Sequence, residues 1–345
     1  MNPNAHPPSD SATPTAAQRF ARGFELAYTG LMRALEPPFA AIQKRIGIKG
    51  MAYVFVAPNM IIFSVFVALP MILNIWYALT GSNRLMMEER PFVGLDNFSA
   101  LLDCKDYLDV NSCKQDRFWR AVHNSVLFVA LQVTAMVALS LVTALILNGK
   151  LRARGFFRAV FFFPVLLSPV VVALIWKWIL QRDGLLNALL MAGGGERVAF
   201  LHDASWSFFW TVFVSVWAHM GFYALILLAG LQAIPADLYE AAEMDGTPKW
   251  RVFWRITVPL LLPTLLVVVI LSLIRAVQAF DEIYVLTGGG PGTATQFIVQ
   301  YIYETAFANQ VHLLGLAAAA SLLVAVVLMV LTVLQLRISY HGKTS

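Results

Sequence analysis

Charged and small residues recur at helical spacing in the stretch 232–256. Leu238, Ala241 and Ala242 share one helical face, and Glu240 adds a charge beside them. Small side chains let another backbone approach closely, and helices this short need packing against a partner to be stable. The chemistry indicated is therefore binding of another protein surface rather than catalysis. The alternative is an amphipathic loop that rests on its own domain.

Turn signals divide this stretch into two short helices. Pro235 suits a first helical position, and Gly246 suits a stop after Asp245. Thr247 and Pro248 resemble a new cap and first turn. The sequence therefore predicts a bent pair of helices, which we call the elbow.

A second group of polar residues lies at the end of an otherwise apolar run: Arg275, Gln278, Asp281, Glu282 and Tyr284. A charge near the centre of a membrane helix costs about 2.5 to 3.5 kcal/mol on insertion scales, so each one needs a reason. Converging donors and acceptors beside an aromatic face could bind a polar solute. Arg275 would suit an anionic solute, but it could equally pair with Asp281 or with a partner subunit.

Two further candidates for binding the same solute are His219 and Tyr223, which are one helical turn apart on another apolar run and could face one cavity. Two structural interpretations remain open beside this one. His219 could form a hydrogen bond to a neighbouring helix, and Tyr223 could simply pack.

Enzymatic and cofactor-binding signals are absent from the sequence. No Gly-rich loop precedes a Lys followed by Ser or Thr, so we expect ATP to be handled by another polypeptide. The few His residues form no metal-like cluster and no nucleophile constellation, so no metal or cofactor is expected on this chain. The cysteines, Cys104 and Cys113, could form a disulfide in an oxidising compartment or remain two free thiols.

Composition places these groups in a membrane, because 59% of the 345 residues are hydrophobic and only 13% are charged. Apolar runs of about 20 residues are long enough to span the bilayer. We predict an all-α, polytopic membrane protein, since the runs do not alternate as β-barrel strands do. The six predicted spans are Met51–Leu79, Ala121–Leu147, Phe156–Leu180, Trp206–Leu231, Thr257–Phe280 and Val311–Leu336. Bends are expected at four prolines in spans three and five: Pro164, Pro169, Pro259 and Pro263.

Basic residues predict that both termini are cytosolic. They precede span one, fill the short second loop and follow span four, whereas the stretch 281–310 has none. The predicted outer loop, 81–119, also contains basic residues, but its length and acidic content reduce their weight. The net charge of +5 then favours anionic headgroups over nucleic acid as a partner. The basic residues counted as cytosolic are Arg19, Arg22, Arg33, Lys44, Arg45, Lys49, Lys150, Arg152, Arg154, Arg158, Lys249, Arg251 and Arg255.

The predicted organisation is a cytosolic tail over 1–50, a membrane domain over 51–338 and a short cytosolic tail over 339–345. No cleavable signal peptide is expected, because the first apolar run starts late and is long. Basic and apolar residues are mixed between Ala16 and Ile48, which favours a helix lying on the inner membrane surface over a floppy basic tail. Pro37 and Pro38 would split that helix into two pieces.

The elbow resembles a signature of permease subunits from binding-protein-dependent ABC importers: Glu-Ala-Ala, three residues, Gly, nine residues, Ile, one residue, Leu-Pro. Asp245 precedes the glycine, as is common, and Val258 replaces the usual Leu. Six fixed positions over twenty residues are far more specific than a lone glycine motif. The matching residues are Glu240, Ala241, Ala242, Gly246, Ile256 and Pro259.

Other stretches resemble the carbohydrate branch of that family, which includes permeases for maltose, other oligosaccharides and glycerol phosphate. These stretches are Phe92–Phe98, Phe280–Pro291 and Tyr301–Phe307. The resemblance implies import of a sugar or sugar derivative. An ion-coupled secondary transporter or a channel is the alternative, and it would need no ATPase.

The resemblance implies a six-helix type I permease of a bacterial inner membrane, with the elbow as its coupling helix. Glu240 would then be the polar anchor on the ATPase, and Asp245 would cap or brace the turn at Gly246. The implied partners are a second homologous permease, two ATPase subunits that use ATP and Mg, and an extracytoplasmic solute-binding protein.

Overall fold

A computed structural model of the chain describes residues 16–81, 86, 90–149 and 152–341. The regular secondary structure of these ranges is helical, and its extended pairings are two isolated bridges, Thr80 with Phe92 and Cys104 with Cys113. The all-α prediction is confirmed. Parts of both predicted tails and of the predicted outer loop lie outside the described residues, as does Lys150.

The chain divides into two compact units between Leu73 and Asn74. The first unit contains α1 (Ala16–Phe63), a π-helical turn (Ser64–Ala68) and the start of α2 (Leu69–Ala78). α1 runs through Pro37 and Pro38, so the break predicted there is wrong; it lies instead at Gly47, with φ 72° and ψ 174°. Proline already has a helical φ and costs a hydrogen bond, whereas these angles are accessible essentially to glycine alone.

The second unit is a bundle of long and short helices. A helical π-turn (Phe253–Thr257) joins α10 to α11 without a gap, and another (Glu304–Ala308) follows α13. The helices are α3 (Asp96–Leu102), α4 (Asp116–Asn148), α5 (Arg154–Phe162), α6 (Pro169–Leu180), α7 (Leu185–Ala192), α8 (Ala204–Gln232), α9 (Ala236–Met244), α10 (Lys249–Val252), α11 (Val258–Val277), α12 (Asp281–Thr287), α13 (Ile298–Tyr303) and α14 (Leu314–His341).

Five helical segments are long and apolar enough to cross a membrane, and a bent pair supplies a sixth candidate. The pair takes the place of the predicted third span: Arg154–Leu166 and Pro169–Ala192 meet at 99°, so the bend expected at Pro169 is present. Leu167 and Ser168 are extended, as expected immediately before Pro169, which disfavours the helical conformation in its neighbour. By contrast, span five stays helical through its prolines. The five candidate spans other than the bent pair are Gln43–Ala78, which contains the break at Gly47, and Asp116–Asn148, Ala204–Gln232, Lys249–Val277 and Leu314–Gln335.

The centre of the bundle is α8, which packs against α4 and α11. Lipid tails are as apolar as leucine, so close backbone approach contributes more to helix association here than hydrophobic burial does. Gly221 of α8 provides such an approach, because a Cβ there would lie 2.0 Å from the carbonyl oxygen of Phe161. The Ser140 hydroxyl of α4 also donates a hydrogen bond to the Met220 carbonyl at 3.1 Å.

Gly221→Ala should therefore destabilise the bundle. The added methyl meets a backbone atom that cannot rotate away, and overpacking of this kind costs about 1 to 3 kcal/mol. The matched control is Gly155→Ala in α5, where a Cβ would meet nothing within 4 Å. The midpoint of thermal unfolding in detergent, followed by tryptophan fluorescence, should fall for Gly221→Ala only. Equal midpoints for the two variants would contradict the packing argument.

Candidate functional site

The first arm of the elbow is α9, which begins at Ala236, with three residues between it and the end of α8 at Gln232. Pro235 immediately precedes α9 with φ −57° and ψ 133°, so it caps the helix and is not its first residue. Ala236 takes that first position, which corrects the prediction by one residue. The fixed φ of proline still directs the chain into the helix.

Main-chain hydrogen bonds close the turn at the end of α9. The Gly246 N–H donates to the Glu243 carbonyl at 3.0 Å, and the Thr247 N–H donates to the Ala242 carbonyl at 2.9 Å. This pair of bonds is a Schellman motif, and Gly246 supplies the left-handed residue that it requires, at φ +65°. The Asp245 side chain is exposed, so the bracing role predicted for it is not what closes the turn.

The second arm differs from the predicted separate short helix. Pro248 occupies the cap position, α10 starts at Lys249, and the π-turn carries the helix directly into α11. Thr247 is therefore not the cap that the sequence suggested. A single membrane-spanning helix, Lys249–Val277, includes the second arm at one end. Ile256 is half-buried and Pro259 is exposed on this helix.

A side-chain hydrogen bond ties the two arms together. The hydroxyls of Tyr239 and Thr257 are 3.2 Å apart, and Thr257 is buried. Between the arms lies an open cavity of about 570 Å³, whose lining includes Glu243, Lys249 and Phe253. The sequence pattern did not reveal this tie, because the two residues are eighteen positions apart.

The outer side of α9 is exposed, but fewer of its residues face outward than the sequence predicted. Glu240 and Ala241 are exposed, whereas Ala242 is only 7% exposed and faces into the chain. Ala242 is therefore a packing residue of the elbow, and the shared docking face predicted for the two alanines is wrong. The missed residue is Met244, which is 88% exposed, one turn beyond Ala241 on the same side.

The polar pair of the membrane interior joins α8 to α11. A guanidinium nitrogen of Arg275, Nη2, contacts His219 Nε2. His219 Nδ1 lies 2.8 Å from the Ser215 carbonyl, so Nδ1 carries the proton and Nε2 accepts from Arg275. This assignment makes the imidazole neutral. Of the interpretations open for His219, the hydrogen bond to a neighbouring helix is the one found.

Arg275 also lines a cavity of about 220 Å³ at the start of α12. Gln278 and Asp281 line it as well, and Asp281 is exposed. Glu282 lines it too, although it is only 4% exposed. Within the described part of the chain, Arg275 Nε and Glu282 Oε1 are buried without a hydrogen-bond partner. Two complementary groups, one donor and one acceptor, are therefore left unsatisfied beside this cavity.

Aromatic rings continue from the cavity towards the end of α13. Tyr284 stacks on Phe280 with ring centroids 5.2 Å apart, and Tyr303 meets Tyr284 edge-on at 5.5 Å. Tyr223, in contrast, is buried in the core formed by α4, α8 and α11. The structure therefore separates Tyr284, beside the cavity, from Tyr223, which packs.

The segment before α4 is closed into a loop by covalent and main-chain bonds. A disulfide joins Cys104 to Cys113, and the Lys114 N–H donates to the Asp103 carbonyl at 2.9 Å. At the start of α4, Arg117 forms an ion pair with Glu304 at 2.8 Å. Over the described ranges, no group of His, Cys, Asp and Glu is arranged to hold a metal ion.

Residues 136–340 match the family described as binding-protein-dependent transport system inner membrane component. The chain belongs to that family. The matched residues contain both the elbow and the cavity beside Arg275. The permease-family signature from Glu240 to Pro259 thus lies within a segment that the family shares.

Sugar permeases are among the relatives of this family member. It is 36% identical over 84% of its length to the trehalose/maltose transport system permease protein MalF of Thermococcus litoralis, covering 93% of that protein. It is 33% identical over 82% of its length to the lactose transport system permease protein LacF of Rhizobium radiobacter, covering 92% of it.

Two solved structures resemble the fold of this permease-family chain. One is a bacterial ABC transporter involved in the import of the acidic polysaccharide alginate, with TM-score 0.73 and 25% identity over 87% of this chain and 99% of that one. The other is the alginate transporter in complex with an alginate pentasaccharide-bound periplasmic protein, with TM-score 0.70 and 25% identity over 85% and 95% of the two chains.

Replacing Gly246 should loosen the elbow, because a side chain strains a residue whose backbone is in the left-handed conformation. The more strain the new residue brings, the larger the effect should be. Because a Cβ at Gly246 would meet nothing within 4 Å, only the backbone conformation opposes a side chain there. Alanine should cost about 1 to 2 kcal/mol, and asparagine less, since it tolerates this conformation better. Hydrogen–deuterium exchange of α9 in the intact chain should accelerate roughly tenfold for Gly246→Ala. Indistinguishable exchange in the Ala, Asn and wild-type chains would argue against the motif.

Proposed function

We propose that this chain is one membrane-spanning subunit of an ATP-driven importer for a sugar or sugar derivative. The observation that carries the proposal is the elbow: an exposed α9, closed at Gly246, that spaces its residues as the family signature does. The elbow joins α8 to α11, and these two helices also carry the polar pair His219 and Arg275. A binding surface joined rigidly to a membrane cavity is what an energy-coupling subunit needs.

The partner at the elbow is an ATPase subunit, one of a pair, on a separate polypeptide that binds ATP and Mg. The exposed side of α9 supports this role because it combines the Glu240 carboxylate with the apolar Ala241 and Met244. A helix with exposed apolar side chains can place them in a hydrophobic groove of its partner, with the charged group beside them. This chain binds no nucleotide and catalyses no reaction.

The solute is a sugar or sugar derivative, delivered by an extracytoplasmic solute-binding protein. Support comes from relatives named for trehalose/maltose and lactose, and from a similar solved complex that contains a periplasmic protein. In this chain the pathway includes Arg275, Gln278 and Asp281, with Tyr284 as the aromatic surface. His219 acts by positioning Arg275.

The surroundings proposed for the chain are a bacterial inner membrane, a second homologous permease and cytosolic termini. The distribution of basic residues supports the orientation, because they cluster before span one and around the elbow. ATP-driven approach of the two ATPase subunits would draw the elbows of both permeases together and turn the cavity outward. Gradient-driven uptake by a preparation free of any ATPase would overturn this function in favour of a secondary transporter or channel.

Glu240→Lys should abolish solute-dependent ATP hydrolysis by the assembled importer, because it reverses the charge at the centre of the docking face. The chain should still reach the membrane, since Glu240 is exposed and outside the core. Glu196→Lys is the matched control, because it reverses an exposed charge away from the elbow. ATP hydrolysis and uptake are measured in proteoliposomes containing the solute-binding protein. Wild-type coupling in Glu240→Lys would refute the docking role.

Arg275→Ala should strongly reduce uptake while leaving the elbow intact. The substitution removes the donor to His219 and the charged group of the cavity together. Tyr223→Phe is the comparison, since Tyr223 packs in the core and its variant should transport normally. Uptake of labelled maltose, lactose and an acidic oligosaccharide is measured for both. Unchanged uptake and solute preference in Arg275→Ala would remove Arg275 from the pathway.

A further inference from the structure

The helix before the first span has a regular apolar pattern. From position 20 to position 46 the sequence places large apolar or aromatic residues at intervals of three or four: Phe20, Phe24, Tyr28, Leu31, Leu35, Phe39, Ile42 and Ile46. Helical periodicity puts these positions along one side of α1, which is helical over this whole range. Where side chains are described, Tyr28 and Ile46 are 52% and 45% exposed. The sequence therefore places a row of apolar positions about seven turns long along this side of the helix.

Basic residues follow a second regularity on the same helix. Arg22, Arg33 and Lys44 are spaced by eleven residues, which is close to three turns, so their positions recur on one side. That side lies opposite the apolar positions. Over residues 16–49 there are six basic and two acidic side chains. A helix with one apolar side and a basic polar side is suited to the interface of an anionic bilayer, where both sides find a complementary environment.

The backbone at Gly47 separates this helix from the apolar segment that follows. At φ 72° and ψ 174°, Gly47 breaks the helical path immediately after Ile46, the last apolar position of the pattern. The conformation is accessible essentially to glycine. Lys44, Arg45 and Lys49 flank it and are exposed, as basic residues at the headgroup level would be. The change of direction thus falls where a helix in the membrane plane would meet a helix that crosses the membrane.

We propose that residues 16–46 form a helix that lies in the interface of an anionic phospholipid leaflet, and that Gly47 is the corner between this helix and the first span. Charge complementarity selects the anionic lipid, and the apolar side enters the acyl boundary. The proposal is independent of which solute the chain transports, and of whether Glu240 docks an ATPase.

The test uses the full-length chain in lipid nanodiscs, with a spin label at one introduced cysteine at a time. The native cysteines are joined as a disulfide and do not compete for the label. Tyr28→Cys and Ile46→Cys report the apolar side, and Thr29→Cys and Gln43→Cys report the polar side. In discs containing phosphatidylglycerol, oxygen should relax the first two labels several-fold more than a water-soluble nickel complex does, with the reverse for the other two. High nickel accessibility at all four sites, or shielding from both reagents by a protein contact, would overturn the proposal.

Two comparisons separate the lipid charge from the corner. The alternation is the difference in oxygen and nickel accessibility between the apolar-side and polar-side labels. It should weaken strongly in pure phosphatidylcholine discs, or when Arg22, Arg33 and Lys44 are all changed to Gln. An unchanged alternation would refute the selection of anionic lipid. Gly47→Ala should abolish the alternation, because alanine favours a continuous helix through the corner. Gly30→Ala is the matched control, since Gly30 has no positive φ and no atom within 4 Å of an added Cβ. Retained alternation in Gly47→Ala would refute the corner.

Discussion

The packing of α8 between α4 and α11 is the constraint on which the rest of the structure depends. In hydrocarbon every backbone polar group must be satisfied within its own helix, so tertiary structure has to come from how closely intact helices approach. Gly221 and Gly230 permit that approach on α8, since an added Cβ at either would overlap a neighbour. Once α8 and α11 are held together, the chain that joins them has only a short distance to cover, and it does so as the elbow. The elbow is therefore a consequence of the packing as much as of its own turn residues.

The same two helices connect the exposed surface with the membrane interior. The segment Lys249–Val277 contains 29 residues, so at 1.5 Å per residue it extends about 43 Å from the elbow towards the cavity. Arg275 lies near its far end and contacts His219 on α8, while Tyr239 and Thr257 tie the near end to α9. A displacement of α9 thus acts on a helix that is held at both ends and runs without a gap from Lys249 to Val277. A π-helical turn at Phe253–Thr257 interrupts the regular hydrogen bonding of this helix, and such turns often occur at functional positions.

The sequence was most informative where one physical rule dominates. Hydropathy located the spans because the bilayer core sets their length, and Gly246 located the elbow turn because few residues adopt φ +65°. The sequence was less informative about which of two adjacent alanines is buried. Ala241 and Ala242 point about 100° apart around α9, and only tertiary packing decides that Ala242 is the buried one. The contact between His219 and Arg275 joins residues 56 positions apart, and local spacing cannot reveal it. Proline misled at Pro37 and Pro38 because it weakens a helix without dictating where the helix breaks, whereas the angles at Gly47 do dictate it.

The charges of the cavity restrict what can bind there. Arg275 already donates to a neutral imidazole, so its charge is not neutralised by that contact, and its Nε is buried without a partner among the described residues. Glu282 presents the opposite need, since its buried Oε1 lacks a donor in the same part of the chain. A hydroxyl group can both donate and accept, so a polyhydroxylated solute could satisfy both residues at once. An anion would bind Arg275 but would approach the carboxylates of Glu282 and Asp281, which line the same cavity. The charges of the cavity therefore match a neutral, hydroxyl-rich group better than an acidic one.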